Sequence, residues 1–203
     1  MTRRTRGRAT PAVLGCRVKS GWATAVLVEG SARSPRVVDR RAIELSDARV
    51  PTSRQPYHAV RDARPGQAPK VERYLRGLVE RVTKRSLGAL LREYRGQGRR
   101  VRHVALVVGS LIDPARIGND HIRAHALEGQ LFRTALERAA RVARLPCTTL
   151  VERALYETAA TRLKRSPVAL RRAVQDLGGV IAGPWRADEK AATLAAWLAL
   201  RIS

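Results

Sequence analysis

Hydrophobic and polar positions divide the first part of the chain into short apolar runs separated by polar turns. Apolar runs at 12–18 and 22–29 flank the turn "KSG", and "PRVVDRRAIELS" at 35–46 has one half-polar face. Because Gly21 tolerates a positive φ, the turn can be tight, and the first two runs pair as a hairpin. The chain is therefore predicted to begin with three antiparallel strands.

The remainder of the chain alternates between helical spacing and further apolar runs. Apolar residues recur at helical spacing from Lys70 to about Tyr94, and "VRHVALVV" at 101–108 is typical of a strand buried on both faces. The other predicted elements are a helix over 121–144 with Asp120 as its N-cap, a strand over 147–152, helices over 153–163 and 167–177, and a last helix over 187–200.

The same pattern predicts the domain organisation. Residues 1–11, "MTRRTRGRATP", form a basic arm that is disordered until bound, and residues 12–203 form a single domain. Residues 47–69 carry four prolines and many polar side chains, which predicts a long loop.

The charge of the chain points to an anionic partner. The formal net charge is +23, and all but five of the 40 basic residues are arginine. Arginine grips phosphate with two parallel hydrogen bonds and stacks on bases. A GC-rich genome also raises arginine and alanine content, but it does not explain why only 17 residues are acidic. Nucleic acid, as DNA or RNA, is the predicted partner.

Clustered basic residues are the predicted phosphate contacts. They occur in the arm, before the fourth strand and around the late helices: Arg3, Arg4, Arg6, Arg8, Arg99, Arg100, Arg102, Arg162, Lys164, Arg165, Arg171 and Arg172. Trp22, Trp185 and Tyr57 are candidates for stacking on bases, although the strand position of Trp22 favours a place in the core.

Cysteine content and hydropathy bear on the compartment. Cys16 and Cys147 match neither a zinc-binding spacing nor a secreted disulfide framework, so buried free thiols are expected. No apolar stretch reaches the ~20 residues of a membrane span, and the first residues lack the apolar core of a secretory signal. We expect a cytoplasmic protein with no membrane contact.

Several stretches, in order, carry a resemblance to a known family. They are "VLGCRVKSGW", "HVALVVGSLI", "HALEGQLFRTALERAARVARLPCTTLVE", "ERALYETAATRLKRSPVALRRAVQDL" and "DEKAATLAAWLAL". This series resembles the RuvC-type Holliday-junction resolvases of the ribonuclease H-like superfamily over about residues 12–201. The resemblance implies an α/β fold with a mixed five-stranded sheet, three antiparallel strands followed by two parallel ones, and helices on both faces. It also implies a homodimer.

The resemblance further implies where catalytic carboxylates belong. Such enzymes cut phosphodiesters with two metal ions held by four acids. In this sequence the four positions fall on Arg17 (or Cys16 after a one-residue slip), on Val108 or Gly109, on Asp188 and on Ala191. Only Asp188 keeps a carboxylate, so no catalytic residue is expected. Arg17 would lie where the metals lie, facing Asp188 or gripping a phosphate, unless a register shift turns it outward.

Another candidate metal site rests on the motif "HIRAH". His121 and His125 lie one helical turn apart, with Glu128 nearly one turn further on, which is a spacing that suits Zn²⁺. The glutamate of the H-E-x-x-H motif is absent, and two histidines on an exposed helix face are the simpler interpretation. No cofactor is expected, and Mg²⁺ only if the chain is a nuclease.

Three functions remain open from the sequence. The favoured one is non-catalytic nucleic-acid binding by a ribonuclease H-like scaffold without its metal-binding carboxylates. The second is a metal-dependent nuclease or resolvase with relocated ligands, drawn from Asp188, Glu189, Glu152 and Glu128. The third is a structural protein of a nucleoprotein or protein assembly.

Overall fold

A five-stranded mixed sheet forms the centre of the fold in the computed structural model, which describes residues 10–202. Its strands are β1 (Thr10–Lys19), β2 (Trp22–Gly30), β3 (Pro35–Glu44), β4 (Arg99–Val108) and β5 (Cys147–Val151). The strand order is β3-β2-β1-β4-β5, with β1, β2 and β3 antiparallel and β1, β4 and β5 parallel. The predicted α/β fold class and sheet are confirmed.

Helices cover both faces of this sheet. They are α1 (Pro56–Arg61), α2 (Ala68–Gly96), α3 (Asp120–Val142), α4 (Leu155–Leu163), α5 (Pro167–Leu177) and α6 (Ala187–Ala199). The helices α2 and α3 pack on one face, while α4, α5 and α6 enclose a second apolar cluster on the other. Because the sheet is covered on both sides, its central strands are apolar at nearly every position.

Side chains of β1 point alternately to the two faces of the sheet. Leu14, Cys16 and Val18 point into the cluster with α2 and α3, and Val13 points into the cluster with α6. Since successive side chains of a strand point to opposite faces, Arg17 lies on the α6 side. Its side chain is only 7% exposed.

The helix α6 lies unusually close to β1. A Cβ atom added to Gly15 would come within 1.9 Å of the carbonyl oxygen of Ala192. The buried face of α6 is rich in alanine, including Ala192, Ala195 and Ala196. Small residues on both sides permit this approach, and it sets the position of the first turn of α6 over the end of β1.

The segment 47–69 is more structured than the predicted long loop. It contains a 3-10 turn over Pro51–Arg54 and the helix α1, and α2 already begins at Ala68. Three of the four prolines that favoured a loop, Pro51, Pro56 and Pro69, lie in the first turns of these elements, where a missing N–H costs nothing, and Pro65 lies in the turn before α2.

Two boundaries also differ from the prediction. Asn119, not Asp120, is the N-cap of α3, since its side chain accepts a hydrogen bond from the Ile122 N–H at 3.0 Å. Asp120 is the first helical residue and pairs with Arg123. The strand β1 begins at Thr10, so the last two residues assigned to the arm belong to the sheet. The rest of the arm, with Arg3, Arg4, Arg6 and Arg8, lies outside the described residues.

Both cysteines are free thiols, as expected, but only Cys16 is also buried as expected. Cys16 is fully buried, and burial raises the pKa of its thiol far above the usual range. Cys147 is half-buried, and burial together with the nearby Glu137 raises the pKa of its thiol to about 12. No helix within residues 10–202 combines the length and hydropathy needed to cross a membrane.

Candidate nucleic-acid interface

A cleft opens at the carboxyl ends of β1 and β4, where two parallel strands finish side by side. Arg17, Lys19, Gly109, His125 and Arg133 are among the residues that line it. This is the edge of the sheet at which the resemblance places catalytic metals. The charged groups that line it are mainly cationic.

Arg17 is held at the base of this cleft by a dense set of contacts. Its Nε and Nη2 atoms donate to the two carboxylate oxygens of Glu152 at 3.1 and 2.5 Å, and Nη1 donates to the Val18 carbonyl at 2.7 Å. The Oδ1 atom of Asp188 lies 3.9 Å from Arg17 Nε. Arg17 therefore faces inward, and the outward orientation is wrong.

The charges around Arg17 balance one another. The Nζ atom of Lys19 lies 3.0 Å from Oδ1 of Asp188, so two carboxylates meet two fixed cations. Mg²⁺ requires anionic oxygens that are free to bind it. Here the guanidinium and ammonium groups already occupy them. Because its donors are taken up by Glu152 and Val18, Arg17 serves as an internal cation and is poorly placed to grip a phosphate.

The other degenerate positions supply no carboxylate either. Val108 packs into the apolar cluster on the α2 and α3 side. Gly109 is exposed and follows Val107 and Val108 at the end of β4. Ala191, one turn after Asp188 on α6, is buried among the residues that cover the sheet.

The four proposed relocated ligands do not all converge. Glu152 and Asp188 meet at Arg17. Glu189 caps α6 by accepting from the Arg186 N–H at 2.9 Å, and it lies 3.7 Å from Arg40. Glu128 is fully buried on α3 and accepts from both the backbone N–H and the side chain of His58 at α1.

A second cavity, of about 730 Å³, lies at the amino end of β4. We call it the arginine groove and define it by Arg92, Arg95, Arg99, Arg100, Arg102 and Arg144. No acidic side chain is among the described residues that line it. Arg17 pairs with Val107, and the groove is lined by residues 99–103 of β4. Since β4 rises about 3.3 Å per residue, the groove lies roughly 13–26 Å along the strand from Arg17.

Only one of these arginines is committed to a carboxylate within residues 10–202. Arg99 is half-buried and lies 3.1 Å from the buried carboxylate of Glu29, which also pairs with Arg36. The other five side chains are exposed. Of the three arginines predicted here as phosphate contacts, Arg100 and Arg102 have no carboxylate partner among the described residues, and Arg99 is tied to the fold.

The late basic cluster lies on the hairpin of α4 and α5. Arg165 stacks over the ring of Trp197 at 5.2 Å, and Arg171 stacks over the ring of Tyr156 at 4.2 Å. Arg162, Lys164 and Arg172 are exposed. Arg162 lines a third cavity with Ile202, and Ile202 also lines the arginine groove. The two predicted clusters are thus neighbours on one surface.

The predicted stacking aromatics are largely used by the fold. Trp185 packs against Gly178 and donates from Nε1 to the Val174 carbonyl at 2.9 Å. Tyr57 packs against the core cluster and lies 3.4 Å from Glu72. Trp22 is half-buried at the start of β2.

The structure groups the histidines differently from the sequence motif. His121 and His125 lie together with His58, which comes from α1. Glu128 does not join this group of nitrogens, and its carboxylate contacts the Nδ1 atom of His58. Within the described residues, these three histidines are the one group of His, Cys, Asp or Glu side chains placed to share a metal ion.

Two functional contacts were missed from the sequence. Glu152 directly follows β5, and its position at the carboxyl end of a parallel strand was the available signal for a partner of Arg17. His58 gave no such signal, because it lies 63 residues before His121 in a segment that reads as loop.

Comparisons with known proteins bear on the fold. The structure of RuvC from Thermus thermophilus is similar, with 12% identity, a TM-score of 0.53, and coverage of 94% of this chain and 96% of that chain. The T. thermophilus RuvC in complex with a Holliday junction substrate is 14% identical, with a TM-score of 0.53 and coverage of 94% and 95%. The yeast mitochondrial Holliday junction resolvase Ydc2 is 11% identical, with a TM-score of 0.48 and coverage of 94% and 77%.

No protein-family model and no curated protein matches the chain. The similarity to the RuvC structures confirms the RuvC-like, ribonuclease H-like fold that the sequence resemblance implied.

Proposed function

We propose that this RuvC-like scaffold binds structured nucleic acid through arginine–phosphate contacts and does not cut it. The observation that carries the proposal is the arginine groove, in which five exposed arginines surround a cavity without an acidic lining residue. Unpaired guanidinium groups held close together repel one another unless an anion lies between them. A phosphate backbone supplies such anions at regular spacing.

Catalysis is not part of the proposal because the two carboxylates that converge at Arg17 are already paired with cations, and Asp113, which lines the cleft, is the N-cap of a 3-10 turn. Arg17 and Lys19 neutralise the two carboxylates that converge there. Two-metal cleavage needs several carboxylates around cations that activate water and stabilise the leaving oxygen. A bound guanidinium does neither, so binding and cleavage become separable.

Backbone conformation gives independent support for the basic surface. Arg144 and Lys164 have φ values of 57° and 53°, in the left-handed region where glycine is favoured. Each follows the end of a helix on the proposed surface. A side chain in this conformation costs about 1–2 kcal/mol relative to the right-handed region. The presence of a cation at both positions fits a role for the charge itself.

The test compares two triple variants that remove the same charge. The groove variant carries Arg92→Gln, Arg95→Gln and Arg144→Gly. The control carries Arg73→Gln, Arg81→Gln and Arg85→Gln, all exposed positions of α2 that do not line the groove. Affinity for a four-way DNA junction, a DNA duplex and an RNA hairpin is measured by fluorescence anisotropy over a range of salt.

We expect wild-type binding that weakens steeply with salt. On duplex DNA, the slope of log affinity against log salt should shrink by about 0.9 for each phosphate contact that the groove variant loses. The control should keep the wild-type slope. If both variants lost the same affinity for DNA, binding would depend on the total positive charge of the protein and not on the groove. An affinity that does not change with salt would contradict phosphate binding altogether.

A second candidate function is a metal-dependent nuclease, favoured by the convergence of Glu152 and Asp188 at one point. It requires Arg17 to move when metal and substrate bind. This function predicts cleavage of branched DNA that depends on Mg²⁺ or Mn²⁺ and disappears in Asp188→Ala. The groove variant would then lower both binding and cleavage.

A homodimer remains a prediction from the resemblance. Analytical ultracentrifugation with and without DNA tests it directly. A monomer in both conditions would contradict it without affecting the groove.

A further inference from the structure

We propose that His58, His121 and His125 form a transition-metal site that takes one Zn²⁺ ion, with Glu128 orienting two of the imidazoles. The site lies where α1 crosses α3, and His125 also lines the carboxyl-end cleft. The proposal is independent of nucleic-acid binding, since none of the three histidines lines the arginine groove.

The spacing of the imidazole nitrogens suits a single ion. One nitrogen from each histidine lies within 4.8 Å of the other two. His58 Nε2 and His121 Nδ1 are 3.3 Å apart. Two nitrogens bound to tetrahedral zinc at 2.0–2.1 Å are separated by about 3.3–3.4 Å. This pair therefore already has the separation that a shared zinc ion imposes.

Glu128 supplies the second, independent observation. Its carboxylate is completely buried, and Oε1 accepts from His58 Nδ1 at 2.8 Å. The other oxygen, Oε2, makes no hydrogen bond although His125 Nδ1 lies 3.5 Å away. A buried carboxylate that is only half satisfied needs a nearby cation.

The carboxylate also fixes which nitrogens are free. Metal-bound histidines commonly donate their other N–H to a carboxylate, which sets the tautomer and the ring orientation. With His58 Nδ1 on Oε1 and a small rotation bringing His125 Nδ1 onto Oε2, both Nε2 atoms are free as ligands. His121 Nδ1 completes a three-histidine set, and the fourth position of the ion is left to water or an anionic oxygen.

Arg61 is the group that opposes the metal. Its Nη1 lies 3.2 Å from His121 Nδ1, while its Nε pairs with Asp62 at 3.0 Å. The Arg61 side chain is exposed and long enough to swing outward. Zinc binding must displace it from His121, so removing this guanidinium should strengthen zinc binding.

The test measures Zn²⁺ binding to the full chain by calorimetry after removal of bound metal with a chelator. The visible absorption of Co²⁺ reports the geometry of the same site. We expect one ion per chain and tetrahedral Co²⁺ absorption. His121→Asn and His125→Asn, both at exposed positions that the fold tolerates, should each weaken Zn²⁺ binding at least 100-fold. His103→Gln, at the fourth histidine of the chain, is the control and should leave it unchanged.

Two further variants separate the roles of the neighbours. Glu128→Gln should weaken Zn²⁺ binding about 10–100-fold without removing a ligand. Arg61→Gln should tighten it several-fold. The proposal is overturned if wild type takes up no Zn²⁺, or if His121→Asn and His125→Asn bind it as tightly as wild type.

Discussion

Arg17 differs from the other arginines of residues 10–202 because its charge is buried and fully engaged. It binds Glu152 through two nitrogens and lies near Asp188, at the position where a ribonuclease H-like enzyme holds metal ions. Removing a buried charged donor leaves its acceptors unsatisfied. Arg17 is therefore expected to matter for stability more than for phosphate binding.

Replacement of Arg17 by methionine tests this role. Arg17→Met should lower the free energy of unfolding by about 1.5–3 kcal/mol, because hydrogen bonds to charged groups are lost while Glu152 and Asp188 remain. Urea unfolding measures the change. The control is Arg49→Met, since Arg49 is 83% exposed and pairs with Asp47. Arg49→Met should hardly change the urea concentration at the unfolding midpoint. If both substitutions destabilised the protein equally, the special position of Arg17 would be contradicted.

His103 gives a prediction for pH. Its ring is buried on β4 and lies 3.1 Å from the Thr148 hydroxyl, and burial lowers its pKa. The unfolded chain therefore binds a proton more readily than the folded chain. The stability contribution is present above the unfolded pKa of about 6.5 and is lost as the pH falls below it.

Urea unfolding of wild type and His103→Gln from about pH 7.5 to 5.5 checks this expectation across the unfolded pKa. The wild type should lose more stability over this range than the variant, in which the other three histidines are unchanged. Identical pH dependence would contradict it.

At the scale of elements, the contact between β1 and α6 places the charged residues of the cleft. Gly15→Ala should push α6 away from the sheet, because its Cβ would collide with the Ala192 carbonyl. We expect a destabilisation of about 1–3 kcal/mol in thermal or urea unfolding.

The same substitution at Gly129 is the matched control. Gly129 lies on α3 with no atom within 4 Å of an added Cβ, so Gly129→Ala should stabilise the protein by about 0.5–1 kcal/mol. Effects of the same sign at both positions would show that close packing against α6 is not the cause.

Most elements could be predicted from the sequence, because apolar spacing reports the faces that are buried. The strand "VRHVALVV" and the helix α6 are clear examples, and their order led to the fold. The segment 47–69 could not be predicted in this way. Its prolines are compatible both with a loop and with the first turn of a helix, and the decision depends on packing of α1 against α2 and α3.

The site was only partly predictable for a similar reason. The meeting of Arg17 and Asp188 followed from aligned positions on β1 and α6. The stronger partner of Arg17, Glu152, depends on β5 lying beside β4, and the joining of His58 to His121 depends on the path of α1. Such contacts between distant segments leave no periodic trace in a single sequence.

At the scale of the whole molecule, positive charge is distributed unevenly. Cations and carboxylates balance around Arg17 at the carboxyl-end cleft, while unpaired arginines gather in the groove at the other end of β4. Within residues 10–202, the exposed arginines of the groove thus lie away from the sheet edge at which the resemblance places catalytic metals. Attachment of nucleic acid at the groove would leave the phosphodiester bonds untouched.

The central claim is tested most directly by following bound and cut DNA in the same sample. A labelled four-way junction is mixed with the wild-type protein and either Mg²⁺ or Mn²⁺ at low salt, and the sample is divided between native and denaturing gels. We predict a retarded complex on the native gel with full-length strands on the denaturing gel. Cut strands that depend on the added metal, or no retarded complex at all, would contradict the account.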